Sequence, residues 1–327
     1  MKLALAVLAL VLAATSLPGC APPVLPARPP PPPGAADPSH ETGTFQGAGG
    51  ITLFEQSWHP SGPARAVVVI HHGLKSHSGH YDAFARKLAG RGLAVYAYDM
   101  RGHGRSEGRR ATIDDFEDLL DDLSIFLGRV RARESAPIFL LGHSVGGAVV
   151  TLFTLERHPA VAGDVLLAPA LRVDSPPIVA AGAPLAATLM PSFPAVDVPD
   201  EAFRRDPAAL AEMHADPLIY HPPGPARTAG ALLRALEYVW AHADEFDVPV
   251  LALHGTADRA TDPRGSAELI RRARSQDKTL VLYQGLYHDL FHEPESEQVM
   301  ADVIDWLEKR TPPQRQGAEE HPTRDGR

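Results

Sequence analysis

Of 327 residues only Cys20 is a cysteine, so no disulfide can close within the chain and its stability has to come from a packed core. Positive charge is also scarce. Lys and Arg number 31 against 40 Asp and Glu, a formal charge of −9, which speaks against a general affinity for nucleic acid or anionic lipid. No internal repeat is visible. Long apolar runs are few. The first, residues 3–14, follows Lys2, leads into small residues and is too short at its core to span a bilayer; residues 1–19 read as a secretory signal. The second, residues 175–196, carries no charge. It also holds Pro176, Pro177, Pro184, Pro191 and Pro194, each lacking a backbone donor, so it reads as a mobile apolar cap over a pocket and not as a span.

Proline, by contrast, is abundant and unevenly spread, with 32 residues. Many crowd into residues 21–41, a stretch with few apolar side chains for a core and a preference for extended backbone. It reads as a tether. Immediately before it, Leu17-Pro18-Gly19-Cys20 resembles a bacterial lipobox, in which the cysteine becomes the lipidated first residue. The expectation is export across the inner membrane and a lipid anchor in the bacterial envelope. Ala21 after Cys20 leans toward the outer membrane. The tail 311–327 is polar and is expected to be disordered.

Between residues 66 and 310 short apolar runs alternate with helical patterns. The runs cover 66–73, 93–100, 137–144, 161–170, 248–255 and 279–285, and several are apolar on both faces, as strands inside a parallel sheet must be. Residues 42–58 look like an antiparallel hairpin leading in. The segment 113–133 begins with acids and ends with bases, the order the helix dipole favours. This rhythm predicts an α/β fold, a mostly parallel sheet with helices on both faces. It breaks between about 171 and 245, where an insertion closes with a helix whose Leu232, Leu236, Val239, Trp240 and Ala243 share one face.

Gly142, Ser144 and Gly146 form G-x-S-x-G between an apolar strand and a helical pattern. A nucleophilic serine projects from a tight strand-to-helix turn, and such a turn tolerates no side chain on either flank. The serine needs a base, and the base an orienting acid, in the chain order Ser, Asp or Glu, His. Asp258 and His288 each lie three residues past the end of a late strand. Asp262 and Asp289 compete for the acid; His254 and His292 compete for the base. His254 still lies in its strand and reads as a packing or locally bonded residue. Two amides must face the oxyanion: Val145, after the serine, and Leu74, after Gly73 at the end of the first parallel strand. That loop holds His71, His72, His77 and His80. Their spacing, H-H-x4-H-x2-H, matches no metal motif, and the H-E-x-x-H glutamate is missing around His288 and His292. No metal or other cofactor is expected.

Several stretches together resemble the monoglyceride lipase group of the α/β-hydrolase family, whose members are also described as lysophospholipases. They are HHGLKSHSGHYDAFARKLAGRG from His71, YDMRGHGRSEG from Tyr98, GHSVGG from Gly142, DPLIYHPPGPARTAGALL from Asp216, VPVLALHGTADRATDPRGS from Val248 and GLYHDLFHE from Gly285. The resemblance covers about residues 42–310. It implies a Ser144–Asp258–His288 triad, an oxyanion hole at Leu74 and Val145, and an apolar cap guiding an acyl chain. Lys75 and Ser76 stand where relatives usually carry an acidic residue beside the histidine. Asp99 and Arg101 read as holding the loop after their strand. The activity implied is hydrolysis of a lipid ester, foremost a monoacylglycerol, with a lysophospholipid or short-chain ester as alternatives. A non-catalytic envelope lipoprotein and a metal-dependent hydrolase are the readings from other classes. Oligomeric state is not legible.

Overall fold

The computed structural model describes residues 24–25, 39–173, 185 and 187–313. The expected signal, Cys20, most of the tether, the first part of the apolar cap and the tail beyond residue 313 lie outside the described residues. Val24–Leu25 pairs antiparallel with Gly108–Arg109.

Eight strands form one sheet. β1 (His40–Gln46) and β2 (Thr52–Trp58) make the expected hairpin, which begins two residues early. There the His40 ring stacks on Trp58 at 4.9 Å and bonds Gln56 at 3.0 Å. β3 (Ala66–His71), β4 (Leu93–Tyr98), β5 (Ile138–His143), β6 (Gly163–Leu167), β7 (Val250–Gly255) and β8 (Lys278–Tyr283) run parallel. The spatial order is β8-β7-β6-β5-β3-β4-β2-β1, with β2 antiparallel to β4. The chain steps from β3 to β4 on one side and returns to β5 on the other. The loops after β3 and β5 therefore diverge and leave a crevice at the carboxyl edge, where α/β sheets bind ligands.

Seven helices, α1 (Asp82–Ala89), α2 (Phe116–Arg133), α3 (Val145–Arg157), α4 (Pro207–Ala215), α5 (Ala226–His242), α6 (Pro263–Arg272) and α7 (Ser296–Glu308), join them among the described residues. In α2 the Asp115 carboxylate caps the Glu117 amide at 3.2 Å, acids fill the first turn, and Arg131 and Arg133 close the last. The strands β3, β4 and β5 are buried at all six positions. Successive β5 residues face opposite cores: Leu140 packs with α2 and α3, Phe139 with α1 and α7. This is why the central strands read as continuous apolar runs and not as alternating ones.

The cap lies between β6 and β7. Within it, Pro194–Val196 pairs antiparallel with Gly224–Pro225. α4 begins at an Asp206–Pro207 pair, an N-cap followed by a proline at the first helical position. In α5, Leu236 and Val239 are buried and Leu232 and Trp240 pack against the same core, as their spacing predicts; Ala243 is buried just past the helix end. No helix among the described residues is long and apolar enough to cross a membrane.

Candidate active site

Ser144 leaves β5 and opens α3 with φ 55° and ψ −121°, a region a residue with a Cβ rarely visits. Three backbone bonds hold it there. Its N–H donates to the Leu167 carbonyl at 3.0 Å, and its own carbonyl accepts from Ala148 at 3.1 Å and Ala170 at 2.8 Å. The flanking glycines are needed for space. A Cβ on Gly142 would collide with the Gly146 carbonyl, and one on Gly146 with the carbonyls of His71 and His72. The Ser144 turn thus rests directly on the loop after β3. A Cβ on Gly73 would lie 2.8 Å from the Ser144 Cβ.

That loop is held by its own histidines. His72 Nε2 accepts the Met100 N–H at 2.8 Å, so its proton sits on Nδ1, which donates to the Gly73 carbonyl at 2.8 Å. His71 Nδ1 donates to the His72 carbonyl at 3.2 Å. Burial, opposed by that bond, lowers the His71 pKa to about 4; burial and the neighbouring histidines push His72 well below its ordinary value. Both are neutral splints. The loop presents Leu74 to the cavity that Ser144 and Val145 line, and no described acceptor takes the N–H of Leu74 or of Val145. Asp99 accepts from Ser78 N–H and Arg105 N–H, both at 2.8 Å, and Arg101 bridges to Asp118 and Asp122. These two hold their loop, as the sequence suggests.

His77 and His80 point the other way. Their Nε2 atoms meet Asp216 Oδ2 at 2.8 and 3.2 Å, joining this loop to the cap just beyond α4. The three side chains are close enough to hold an ion. The His77 ring does not suit that role. Its Nδ1 accepts the Gly79 N–H at 3.1 Å, so Nε2 carries the proton and donates to Asp216. The trio is a hydrogen-bonded tie between core and cap.

The residues that the sequence suggests as acid and base lie in the loops after β7 and β8. His288 Nδ1 donates to Asp258 Oδ2 at 2.7 Å, and both side chains are fully enclosed. Asp258 Oδ1 accepts the Ala260 and Thr261 N–H groups at 2.7 and 2.9 Å. Burial works to raise the Asp258 pKa. The charge of His288 and the bonds from His254 and His288 outweigh it and hold the carboxyl well below the usual carboxylate range. His288 Nε2 is buried with no hydrogen-bond partner, and no hydrogen bond joins it to Ser144 Oγ. The two loops are nonetheless in contact. The ring of His143, the residue before the serine, lies 4.9 Å from the His288 ring, and its Nε2 reaches the His288 carbonyl at 3.3 Å.

The rival residues are engaged elsewhere. Asp289 binds Arg204 at 2.8 Å and His292 at 2.9 Å. Asp262 caps α6 and pairs with Arg172 and Arg264. His254 bonds locally, as expected, but its partner is Asp258 itself. Sequence reasoning did not single out His143, Phe203 or Thr261. Phe203, from the cap, meets the His288 ring edge-on at 5.2 Å; Thr261 donates to Asp258 Oδ2 at 3.0 Å. Both share the cavity wall with Ser144.

The cavity has about 580 Å³ of empty space, partly open to solvent, and its walls are mostly apolar, with Leu74, Val145, Val196, Val198, Phe203 and Leu232 among them. A larger hollow of mixed polarity near Trp58, Arg65 and Arg91 lies at the opposite edge of the sheet and includes none of Ser144, Asp258 and His288.

Residues 62–295 match the family described as serine aminopeptidase S33 (Hydrolase_4). A monoacylglycerol lipase of Mycolicibacterium smegmatis is 34% identical over 267 residues, 81% of this chain and 95% of that one. The monoglyceride lipase of Homo sapiens is 35% identical over 271 residues, 81% of this chain and 89% of that one. Among solved structures, the monoacylglycerol lipase of Paleococcus ferrophilus superposes with a TM-score of 0.72 at 29% identity, covering 79% of this chain and 99% of that one. A strand-turn-helix serine and matches of this breadth agree: the chain belongs to the monoglyceride lipase group of the α/β-hydrolase family, and it is a carboxylic ester hydrolase.

Proposed function

We propose that this hydrolase cleaves monoacylglycerol to glycerol and fatty acid through Ser144, His288 and Asp258. The observation that carries the reading is the enclosed His288–Asp258 bond behind an apolar cavity onto which Ser144 opens. Ser144 Oγ attacks the ester carbonyl carbon and gives its proton to His288 Nε2. The oxyanion receives the Leu74 and Val145 N–H groups, and the ionised Asp258 stabilises the imidazolium. His288 then protonates the departing glycerol oxygen. Water, deprotonated by the same nitrogen, attacks the acyl-serine, and fatty acid leaves as Ser144 regains its proton.

The cavity wall favours a neutral headgroup. Among the described residues its one charged member, Lys75, is already bound to Asp200 at 2.9 Å and to the Val198 carbonyl at 2.7 Å, so none of them offers a free cation to a phosphate. The names of the relatives point the same way. Leu185, Leu189 and Phe193 expose apolar side chains on the cap, which suits a substrate drawn from lipid.

Ser144→Ala should lower hydrolysis of an aryl ester by about 10⁴-fold or more with the fold intact by circular dichroism; retained turnover would reject the serine. A panel of monoacylglycerols, lysophospholipids and short aryl esters tests the substrate. A kcat/KM highest for a lysophospholipid would overturn the neutral headgroup. Cys20 is proposed as the lipid anchor, holding the enzyme in the envelope, most plausibly at the outer membrane, through the proline-rich tether. Labelled palmitate should enter the wild-type chain and not Cys20→Ser in cells; equal labelling would reject the anchor.

A further inference from the structure

Asp258 Oδ2 accepts more than the hydrogen bond from His288. His254, the penultimate residue of β7, is fully buried and places Nε2 3.0 Å from the same oxygen. Thr261 adds its hydroxyl at 3.0 Å. The ring of His254 is also held from behind. Its Nδ1 lies 2.8 Å from the Ser266 hydroxyl of α6. Asp258 is an ionised acceptor, so His254 Nε2 must carry the proton, and Ser266 then donates to Nδ1. Two further donors, His254 and Thr261, therefore share one carboxylate oxygen with His288.

We propose that His254 is a positioning residue that tunes the basicity of His288 through Asp258. This rests on the triad assigned above. An enclosed carboxylate against an imidazole favours the imidazolium, and a base protonated at working pH cannot take the serine proton. The N–H of His254 draws part of the carboxylate charge away from His288 and fixes the rotamer of Asp258. The same oxygen then still orients His288 without holding a proton on it. The other titratable groups facing His288 are His143, from the end of β5, and Asp289, next in the chain. Burial and the nearby His288 lower the His143 pKa to about 4. Asp289 is occupied by Arg204 and His292. His254 is thus the adjustable group on the carboxylate side.

The test is the pH profile of kcat/KM on an aryl ester. His254→Leu removes the donor; His254→Gln keeps an N–H near the position of Nε2. The acid limb of His254→Leu should move up by about one pH unit, a roughly tenfold loss on the acid side and a smaller loss above the limb. His254→Gln should return the limb toward its original place. Ser266→Ala, which removes the hydroxyl that holds the ring from behind, should move the limb the same way by less, and it serves if His254→Leu does not fold. A limb unchanged in both His254→Leu and Ser266→Ala would overturn the proposal, as would equal, pH-independent losses in His254→Leu and His254→Gln. Ser144→Ala, run alongside, separates the two readings: if it keeps activity, the triad itself is wrong.

Discussion

Asp164 and Asp258 are the same residue type held in opposite charge states by their surroundings. Asp164, in β6, is fully buried; its Oδ2 accepts from Thr154 Oγ1 at 2.6 Å and its Oδ1 has no partner. Burial, only partly offset by the Thr154 bond, raises its pKa from 3.8 to about 7. Unfolded, the group ionises near 3.8; folded, it keeps its proton to about 7. Stability is therefore lost as pH rises through that window, and the loss is complete above it. Asp164→Asn removes the penalty, so its Tm should exceed that of the wild type by roughly 3–6 °C at pH 8 and by much less at pH 5. A variant less stable than wild type at pH 8 would contradict this. Asp258 is equally enclosed but faces two histidine N–H groups, two amides and a hydroxyl, so it stays ionised. The acid limb of activity should accordingly report a histidine and not this aspartate. The Ser144 turn was legible because its glycines have a steric cause that spacing alone displays. The second histidine on Asp258 was not. Which way a side chain turns at the end of a strand depends on local twist and on where the following loop folds back, and neither is written in the period of the sequence.

At the scale of elements, legibility followed burial. β3, β4 and β5 are enclosed on both faces, and their sequences are plain apolar runs. β8 is an edge strand with Leu282 about half exposed, yet its composition still marked it as a strand. α2 announced itself through its charged ends. The insertion was legible as an apolar cap closed by one helix, but its inner elements were not. The pairing of Pro194–Val196 with Gly224–Pro225 joins segments nearly thirty residues apart, and strands of three and two residues have no period to detect. α4 had a start signal in Asp206–Pro207, but its apolar residues form no marked face, and burial takes only Ala209 and Met213. Lys75, the departure from the family pattern, also becomes explicable at this scale. Its side chain leaves the loop after β3 for the cap, where it meets Asp200 and the Val198 carbonyl.

Across the whole molecule, core and cap are tied by polar contacts on two sides. His77 and His80 bind Asp216, while Arg204 and Arg205 of the cap bind Asp289 and Glu293 beside His288. Burial works to raise the Asp216 pKa, but its bonds to His77 and His80 outweigh it and hold the carboxyl far below the usual range. The stability from this depressed carboxyl is present above its unfolded pKa and is lost only as pH falls through its much lower folded value. Asp216→Asn should loosen the cap by about 1–3 kcal/mol. Amide exchange across residues 207–242 should quicken about tenfold while the sheet exchanges as before; unchanged exchange would mean that the tie holds nothing. The other attachment is apolar. α5 lies on α3, the helix that begins after Ser144, and Ala231, Ala235, Leu236 and Val239 belong to the same buried cluster as Val149, Val150 and Phe153. The insertion is therefore no interchangeable cassette. Trimming it to a short linker, or grafting in another enzyme's lid, would strip the roof from the helix that Ser144 opens and yield an insoluble chain before it yielded a new specificity.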